Sequence, residues 1–338
     1  MAIAGDVQIG EGGAAVEAVA STCASSRAGA RAISVLSTPL NLQILRSLAE
    51  RPMRLAELRK ATGLPAQTTL RGHLASLGEI GALSKHVVEQ MPYAVENQLT
   101  PMGKELLAVA GLLEAWLREA PEGPISIENG AAKGAVKALA DAWASTMMRA
   151  LAAGPLSLTE LDKLIADHSY PALERRLSSM RMVGLAAAQP SRGTRTPYAV
   201  TTWGRRAITP LAAASHCERV HMGLDSESVA GIDIEAAFLL AMPLVRLPAG
   251  TAGSCQLEVE PGDGASLGAM AGVRVTVAHG RVVSCVSRLE PNPDAYAVGP
   301  AIEWFLAVRD GKSERLRLGG GPLAEILIKG LHAALRPG

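Results

Sequence analysis

The chain has 338 residues, with 33 Lys+Arg against 32 Asp+Glu and a formal net charge of +1. It is 48% hydrophobic but only 3% aromatic, which allows two or three domains with cores of Leu, Ala, Val, Ile and Met and suits helices better than a large β-sandwich. No stretch is apolar and long enough to span a membrane, and four dispersed cysteines (Cys23, Cys217, Cys255, Cys285) without a CxxC pair argue against a disulfide frame or zinc knuckle and for a reducing cytoplasm.

Residues 1–26 are rich in Ala, Gly and Ser and carry no basic n-region, so they predict a mobile tail and not a signal peptide. Residues 27–118 then carry +4, residues 134–222 carry +5 and residues 223–338 carry −3. Such segregation is expected if the first two-thirds of the chain meets a polyanion and the last third does not.

The pattern over 27–118 predicts a helix at about 39–50, then a short helix carrying Leu55 and Leu58. A third helix starts near Pro65, a residue tolerated in a first helical turn. Leu70, Leu74 and Leu77 share one face of that helix, and Gly81 lies where it would end. The runs Leu83–Glu89 and Ala94–Thr100 read as a hairpin, followed by a closing helix from Met102 to about Leu117. Residues 119–133 read as a linker.

Residues 134–222 repeat this order. Arg51–Leu58 matches Gly154–Leu161 at an offset of 103, which also superposes Leu70, Leu74, Leu77 and Gly81 on Leu173, Leu177, Met180 and Gly184. Leu99–Gly103 matches Val200–Gly204 at an offset of 101. The Pro-Tyr-Ala-Val strings at 92–95 and 197–200 are therefore not equivalent, because Tyr198 falls opposite Asn97 in the alignment. The second copy predicts a helix over 136–153, a short helix with Leu158 and Leu161, and a third helix from Tyr170. Extended runs Leu185–Gln189 and Pro197–Thr202 and a closing helix from Gly204 to about Val220 complete it. Helix, helix-turn-helix, hairpin, helix is a winged helix-turn-helix, here in two tandem domains.

From residue 223 the texture changes. Helices are predicted over Asp233–Met242, Pro300–Val308 and Pro322–Leu335. Strands are predicted over Ser254–Val259, Val273–Ala278, Arg281–Val286, Ala295–Val298 and Arg315–Leu318, with His279 and Gly280 as a two-residue hairpin turn. The fold class expected for the whole is mostly α plus α+β.

The residues Ile44–Leu45, Pro52–Leu58, Gly63–Leu64, Leu70–Gly81 and Pro92–Gly103 resemble the HxlR type of bacterial winged helix-turn-helix regulators. The second copy resembles the same family over Gly154–Leu161, Leu173–Leu185 and Tyr198–Gly204, with His168–Tyr170 departing from it. The resemblance implies a transcription regulator bound to double-stranded DNA. Gly72 lies inside the first recognition helix, at a cost of about 1 kcal/mol relative to Ala. Opposite the leucine stripe, that helix offers Gln67, Thr68, Thr69, Arg71 and His73. The second offers Glu174, Arg175, Arg176, Ser178 and Arg181. The wings add Lys85 and His86 in one copy and Arg192 and Arg195 in the other. Arg suits a guanine edge or a phosphate and Gln an adenine edge, while each residue also fits an ordinary solvated face.

Residues 223–338 resemble sterol-carrier-protein type 2 domains, above all in the ending of strand, Gly319–Gly321 turn and apolar helix. That resemblance implies an α/β sandwich holding a small hydrophobic effector, with Phe238, Met242, Trp304 and Phe305 as pocket walls or simply as core. Cys217 and His221 have metal-ligand spacing on a helix but lack a third ligand. The three consecutive glycines lack a following Lys-Ser/Thr, and no nucleophile stands with a base and an orienting partner. Neither enzymatic activity nor a cofactor is expected. The leading expectation is an effector-responsive regulator, either as a homodimer joined through an apolar stripe at Met102–Leu117 or with two modules standing in for that dimer. A protein-protein adaptor, or a lipid-binding C-terminal domain as the main activity, are the alternatives.

Overall fold

The computed structural model describes residues 29–88, 94–165, 169–191, 195–222, 231–260, 271–291 and 293–335. The tail expected over 1–26 lies outside them. The fold is mixed α/β. In chain order the first elements are α1 (Ala30–Leu36), α2 (Pro39–Glu50), β1 (Met53–Arg54), α3 (Leu55–Ala61), α4 (Gln67–Glu79), β2 (Leu83–Val88), β3 (Ala94–Leu99), α5 (Pro101–Arg118) and α6 (Gly130–Ala140). Then come α7 (Ala142–Ala152), β4 (Leu156–Ser157), α8 (Leu158–Leu164), α9 (Tyr170–Met182), β5 (Ala186–Ala188), β6 (Pro197–Val200), α10 (Thr202–Arg206) and α11 (Ile208–His221). The rest is α12 (Gly231–Ala241), a 3-10 turn (Met242–Leu244), β7 (Gly253–Glu260), β8 (Ala271–Ala278), β9 (Arg281–Val286), β10 (Tyr296–Pro300), α13 (Ala301–Asp310), β11 (Arg317–Gly319) and α14 (Leu323–Ala334).

Compactness divides these residues into two units, one of 26–141 with 209–227 and one of 142–208 with 228–338. This division crosses the boundaries drawn from sequence at 118, 133 and 222. In the first unit, α2 packs on α5, α4 and β3, burying Leu42, Ile44, Leu45, Leu58, Leu70, Leu77, Leu106 and Leu113. The sheet order is β1-β3-β2. Arg46 pairs with Glu114 of α5 and, at 3.0 Å, with Glu128. Helix α11 closes the unit from the far end of the sequence: the backbone N–H groups of Gly29 and Ala32 each donate to the Glu218 carboxylate at 2.8 Å. Glu218 is only 2% exposed, and two donors at the start of a helix are what a buried carboxylate needs to stay satisfied. Gly29 has φ 89° and a Cβ there would fall 2.9 Å from Ser215 Oγ, so the approach requires glycine.

In the second unit, β4, β6 and β5 form a three-stranded antiparallel sheet in the order β4-β6-β5. The larger sheet runs β11-β10-β7-β8-β9, with β10 parallel to β7 and the remaining pairs antiparallel. Helix α12 packs on β7 and β8 and also on α7 and α10. Asp233 on α12 pairs with Arg149 on α7, and the Arg205 guanidinium donates to the Leu239 carbonyl at 2.8 Å. The expected turn between β8 and β9 is present, with φ of 51° at His279 and 71° at Gly280, as a two-residue hairpin of this hand demands.

Several sequence expectations need correction. The helix expected over 136–153 is two helices, α6 and α7, parted at Asp141. The expected linker over 119–133 already contains the start of α6. The closing helix expected from Gly204 to Val220 breaks at Ala207, because the ring of Pro210 would clash with the Arg206 carbonyl in a continuous helix. Pro65 precedes the N-cap residue Ala66 of α4 and does not lie in its first turn. The apolar side of α5 (Met102, Leu106, Val109, Ala110, Leu113, Trp116, Leu117) is buried inside the chain, so it is core and not an exposed dimer stripe.

Candidate nucleic-acid interface

Helix α3 starts where Glu57 accepts the Arg54 N–H at 2.9 Å, and Thr62 closes it by donating to the Leu58 carbonyl at 2.8 Å. The chain then turns through Gly63 (φ 80°) and Leu64 (φ 59°), and Arg59 Nε donates to the Pro65 carbonyl at 2.9 Å, holding the turn. This turn sets the angle between α3 and α4. On α4, Leu70, Leu74 and Leu77 are buried, while Gln67, Thr68, Thr69, Arg71, Gly72 and Ser76 are exposed. Residues 100° apart along the helix put Thr68 and Gly72 at the centre of the outer face, Gln67 and Arg71 on one flank, and Thr69, His73 and Ser76 on the other.

His73 departs from its expected outward position. It is half-buried, and its Nδ1 lies 2.8 Å from Asn41 Oδ1 on α2. Asn41 Nδ2 donates to the Val35 carbonyl at 2.9 Å, so Oδ1 is the acceptor and the imidazole Nδ1 the donor. On the wing, Lys85 and His86 are exposed on β2, opposite Asn97 and Glu96. Val87 and Val95 face each other and are each more than half exposed. The wing tip, with Pro92 and Tyr93, lies outside the described residues.

In the second unit α9 buries Leu173, Leu177 and Met180 and exposes Glu174, Arg175, Ser178 and Arg181, with Arg176 half-buried. The Arg181 guanidinium lies 5.3 Å from the centre of the Tyr198 ring on β6, a cation–π contact that ties the end of the helix to the sheet. Arg195 is exposed; Arg192 lies outside the described residues. Glu160 is the N3 residue of a capping box with Ser157. The Ser157 hydroxyl and N–H, donating at 2.6 and 2.7 Å, hold its carboxyl below the usual carboxylate value, with Arg195 adding to the effect.

Three of the four aromatic and sulfur side chains singled out for a pocket sit deep in the second unit. Phe238 (2% exposed), Met242 and Trp304 (both 0%) are buried, and Phe305 is half-buried. Phe238 and Trp304 meet edge to face with centroids 4.9 Å apart, and Trp304 Nε1 donates to the Glu258 carbonyl at 2.6 Å. These contacts are those of a packed core.

The Cys217 and His221 pair finds a different partner from a metal. His221 Nε2 lies 2.6 Å from one Glu105 oxygen and His216 Nε2 3.4 Å from the other, so α11 is clasped to α5. Burial, with the Glu105 and Glu218 carboxylates, pushes the Cys217 thiol up to about 12. Among the described residues no group of three His, Cys, Asp or Glu is placed to hold a metal ion, and no helix is long and apolar enough to cross a membrane. Sequence reading missed Glu105 and Glu218 because both partners are remote along the chain; the closely spaced His216 and His221 were the only local signal.

A comparison with curated proteins found no match to the chain. The family model that matches is that of the HxlR-like helix-turn-helix, over residues 35–123. The segment containing α2 to α5 is therefore an HxlR-like helix-turn-helix domain, of the kind that binds double-stranded DNA in transcriptional regulators.

Proposed function

We propose that the chain is a transcriptional regulator that lays two helices, α4 and α9, on duplex DNA and tunes that binding through a small apolar molecule held by its C-terminal sheet. Its work is binding, not catalysis. The observation that carries the second module is register. Met53 pairs with Asn97 and Leu156 with Tyr198, and Leu83 pairs with Leu99 and Ala186 with Val200, so residues 156–200 reproduce the strand pairings around the HxlR-like recognition helix. Arg175 and Arg181 are exposed on α9, the cations that phosphate contact requires.

Support for coupling comes from α12, which carries Phe238 into the core under the sheet and, through Asp233 and the Leu239 carbonyl, holds Arg149 and Arg205 around the second module. A ligand that repacked that core would shift the element on which α7 and α10 rest. Two modules in one chain supply the pairing that a dimer would otherwise provide, and gel filtration at 35.1 kDa is the expected result.

Fluorescence anisotropy with duplex DNA across a salt series tests the reading. Arg175→Ala should weaken binding roughly tenfold and reduce the salt slope by about one, as loss of a phosphate contact does. An unchanged affinity and slope would remove α9 from the interface. Mass spectrometry of small molecules released from the purified protein tests the effector; a preparation repeatedly free of any apolar ligand, with DNA binding intact, argues against it.

A further inference from the structure

The side of α4 that faces neither the core nor the base-reading flank is one wall of an open groove of about 450 Å³, lined by Ser34, Val35, Thr38, Asn41, Thr69, Gly72, His73 and Ser76. We propose that this groove seats the sugar–phosphate backbone of one DNA strand beside the recognition helix. The proposal rests on the assignment of residues 35–123 to a duplex-binding domain and names contacts that assignment does not.

Three observations carry it. The groove presents four hydroxyls, those of Ser34, Thr38, Thr69 and Ser76, and none makes a hydrogen bond among the described residues, whereas three serines on other helical segments turn back to a carbonyl of their own helix. Ser47 donates to Gln43, Ser215 to Leu211, and Ser179, which occupies on α9 the place of Ser76 on α4, to Arg175. Thr38 stands at the N-cap of α2 without capping it. Hydroxyls left free in this way are ready donors to phosphate oxygens.

The second observation is Gly72. A Cβ built there meets nothing within 4 Å, so packing within the chain does not demand glycine, and an interior helical glycine lowers helix stability. The absent side chain makes room for something that approaches from outside. The third is the wall itself. No charged side chain lines the groove, so no carboxylate repels an anion. The relay from Val35 through Asn41 to His73 Nδ1 fixes the imidazole as a rigid side of the channel. A strand is the occupant that fits, because the groove lies along the flank of a helix whose adjoining face carries Thr68 and Arg71, and a helix placed in the major groove has backbone running beside it.

The test compares wild type, Gly72→Ala and the double variant Ser34→Ala with Thr38→Ala, using two duplexes of unrelated sequence at one salt concentration. Thermal unfolding of each protein is measured in parallel. Gly72→Ala should raise the unfolding temperature yet weaken both duplexes by the same factor, roughly fivefold. The double hydroxyl variant should weaken both by roughly tenfold or more, since bonds to charged groups are the strong ones. Arg71→Ala, on the other flank, should instead change the ratio between the two duplexes. Wild-type affinity in both groove variants would overturn the proposal while leaving the DNA-binding reading standing. Failure of folded wild type to bind any duplex would overturn both. Saturable binding of inorganic phosphate that is lost in Ser34→Ala with Thr38→Ala, while DNA binding is unaffected by that change, would assign the groove to a free anion and equally overturn it.

Discussion

The stretches 53–118 and 156–221 place the same backbone devices at corresponding positions and diverge where side chains meet solvent. Thr100 Oγ1 donates to the Gly81 carbonyl at 2.7 Å and accepts the Gly103 N–H at 3.2 Å; Thr201 Oγ1 donates to Gly184 at 2.7 Å and accepts from Gly204 at 2.9 Å. A Cβ on Gly103 would lie 2.3 Å from the Ala82 carbonyl oxygen and one on Gly204 would lie 2.4 Å from that of Leu185. The Thr-x-x-Gly pattern seen twice in the sequence is thus a lock between the end of a helix and the start of the next, in which a short hydroxyl residue caps and only glycine fits against the carbonyl. On the outer helix face nothing imposes such a limit. There Gly72 corresponds to Arg175 and Arg71 to Glu174, so one outer face is bare where the other carries a guanidinium group.

The largest expected effect breaks the lock. Gly103→Ala and Gly204→Ala should each destabilise their unit by about 3 kcal/mol, because a methyl group cannot fit against a fixed carbonyl without moving backbone. Chemical denaturation should show a similar loss for both, and a tolerated alanine at either place would mean the two locks are not equivalent. Next is the closing helix. The stretch 53–118 runs on unbroken through α5, whereas 156–221 breaks at Ala207 and sends α11 to cap α1. Glu218→Ala should leave two buried N–H groups unpaired and cost about 2 kcal/mol, with amide exchange accelerating at Gly29 and Ala32 and not in β7 to β9. Removing the threonine caps is a smaller perturbation: Thr100→Val and Thr201→Val should each cost about 1 kcal/mol.

How much of this was legible in the sequence depends on how local the cause is. The strand Arg281–Val286 and its turn were readable because alternation and the His279-Gly280 pair act over a few residues. The leucine stripes of α4 and α9 were readable for the same reason, and the strand pairings agree with the alignment of Tyr198 with Asn97. Glu218 was not readable: a carboxylate 189 positions from its donor leaves no periodic trace. Pro210 carried a local warning of the helix break, but the apolar pattern around it continues and masks it. Among the candidate contact residues, Gln67, Thr68, Thr69, Arg71, Lys85, Glu174, Arg175, Arg181 and Arg195 are exposed as their spacing suggests, while His73 and Arg176 are half-buried. His73 appears polar and outward by helical spacing, yet Asn41, from another helix, holds its ring to the side.

The subtlest difference between the two stretches lies in their capping carboxylates. Glu57 is held below its ordinary value by the Arg54 N–H first and then by Arg51, whereas Glu160 is held down first by the Ser157 hydroxyl and then by the Ser157 N–H. In both, the folded carboxyl titrates below the unfolded one, so the stabilisation is present above the unfolded value of about 4.5 and is lost as pH falls through the lower folded value. Ser157→Ala removes the largest of the Glu160 contacts and should return that carboxyl toward its ordinary value, while leaving Glu57 where it is. A carboxyl-detected NMR titration of the two glutamates in wild type and variant reads this directly. If Glu160 does not move, its low value comes from its cationic neighbours Arg195 and Lys163 and not from the cap, and the two helix starts differ less than their hydrogen bonds imply.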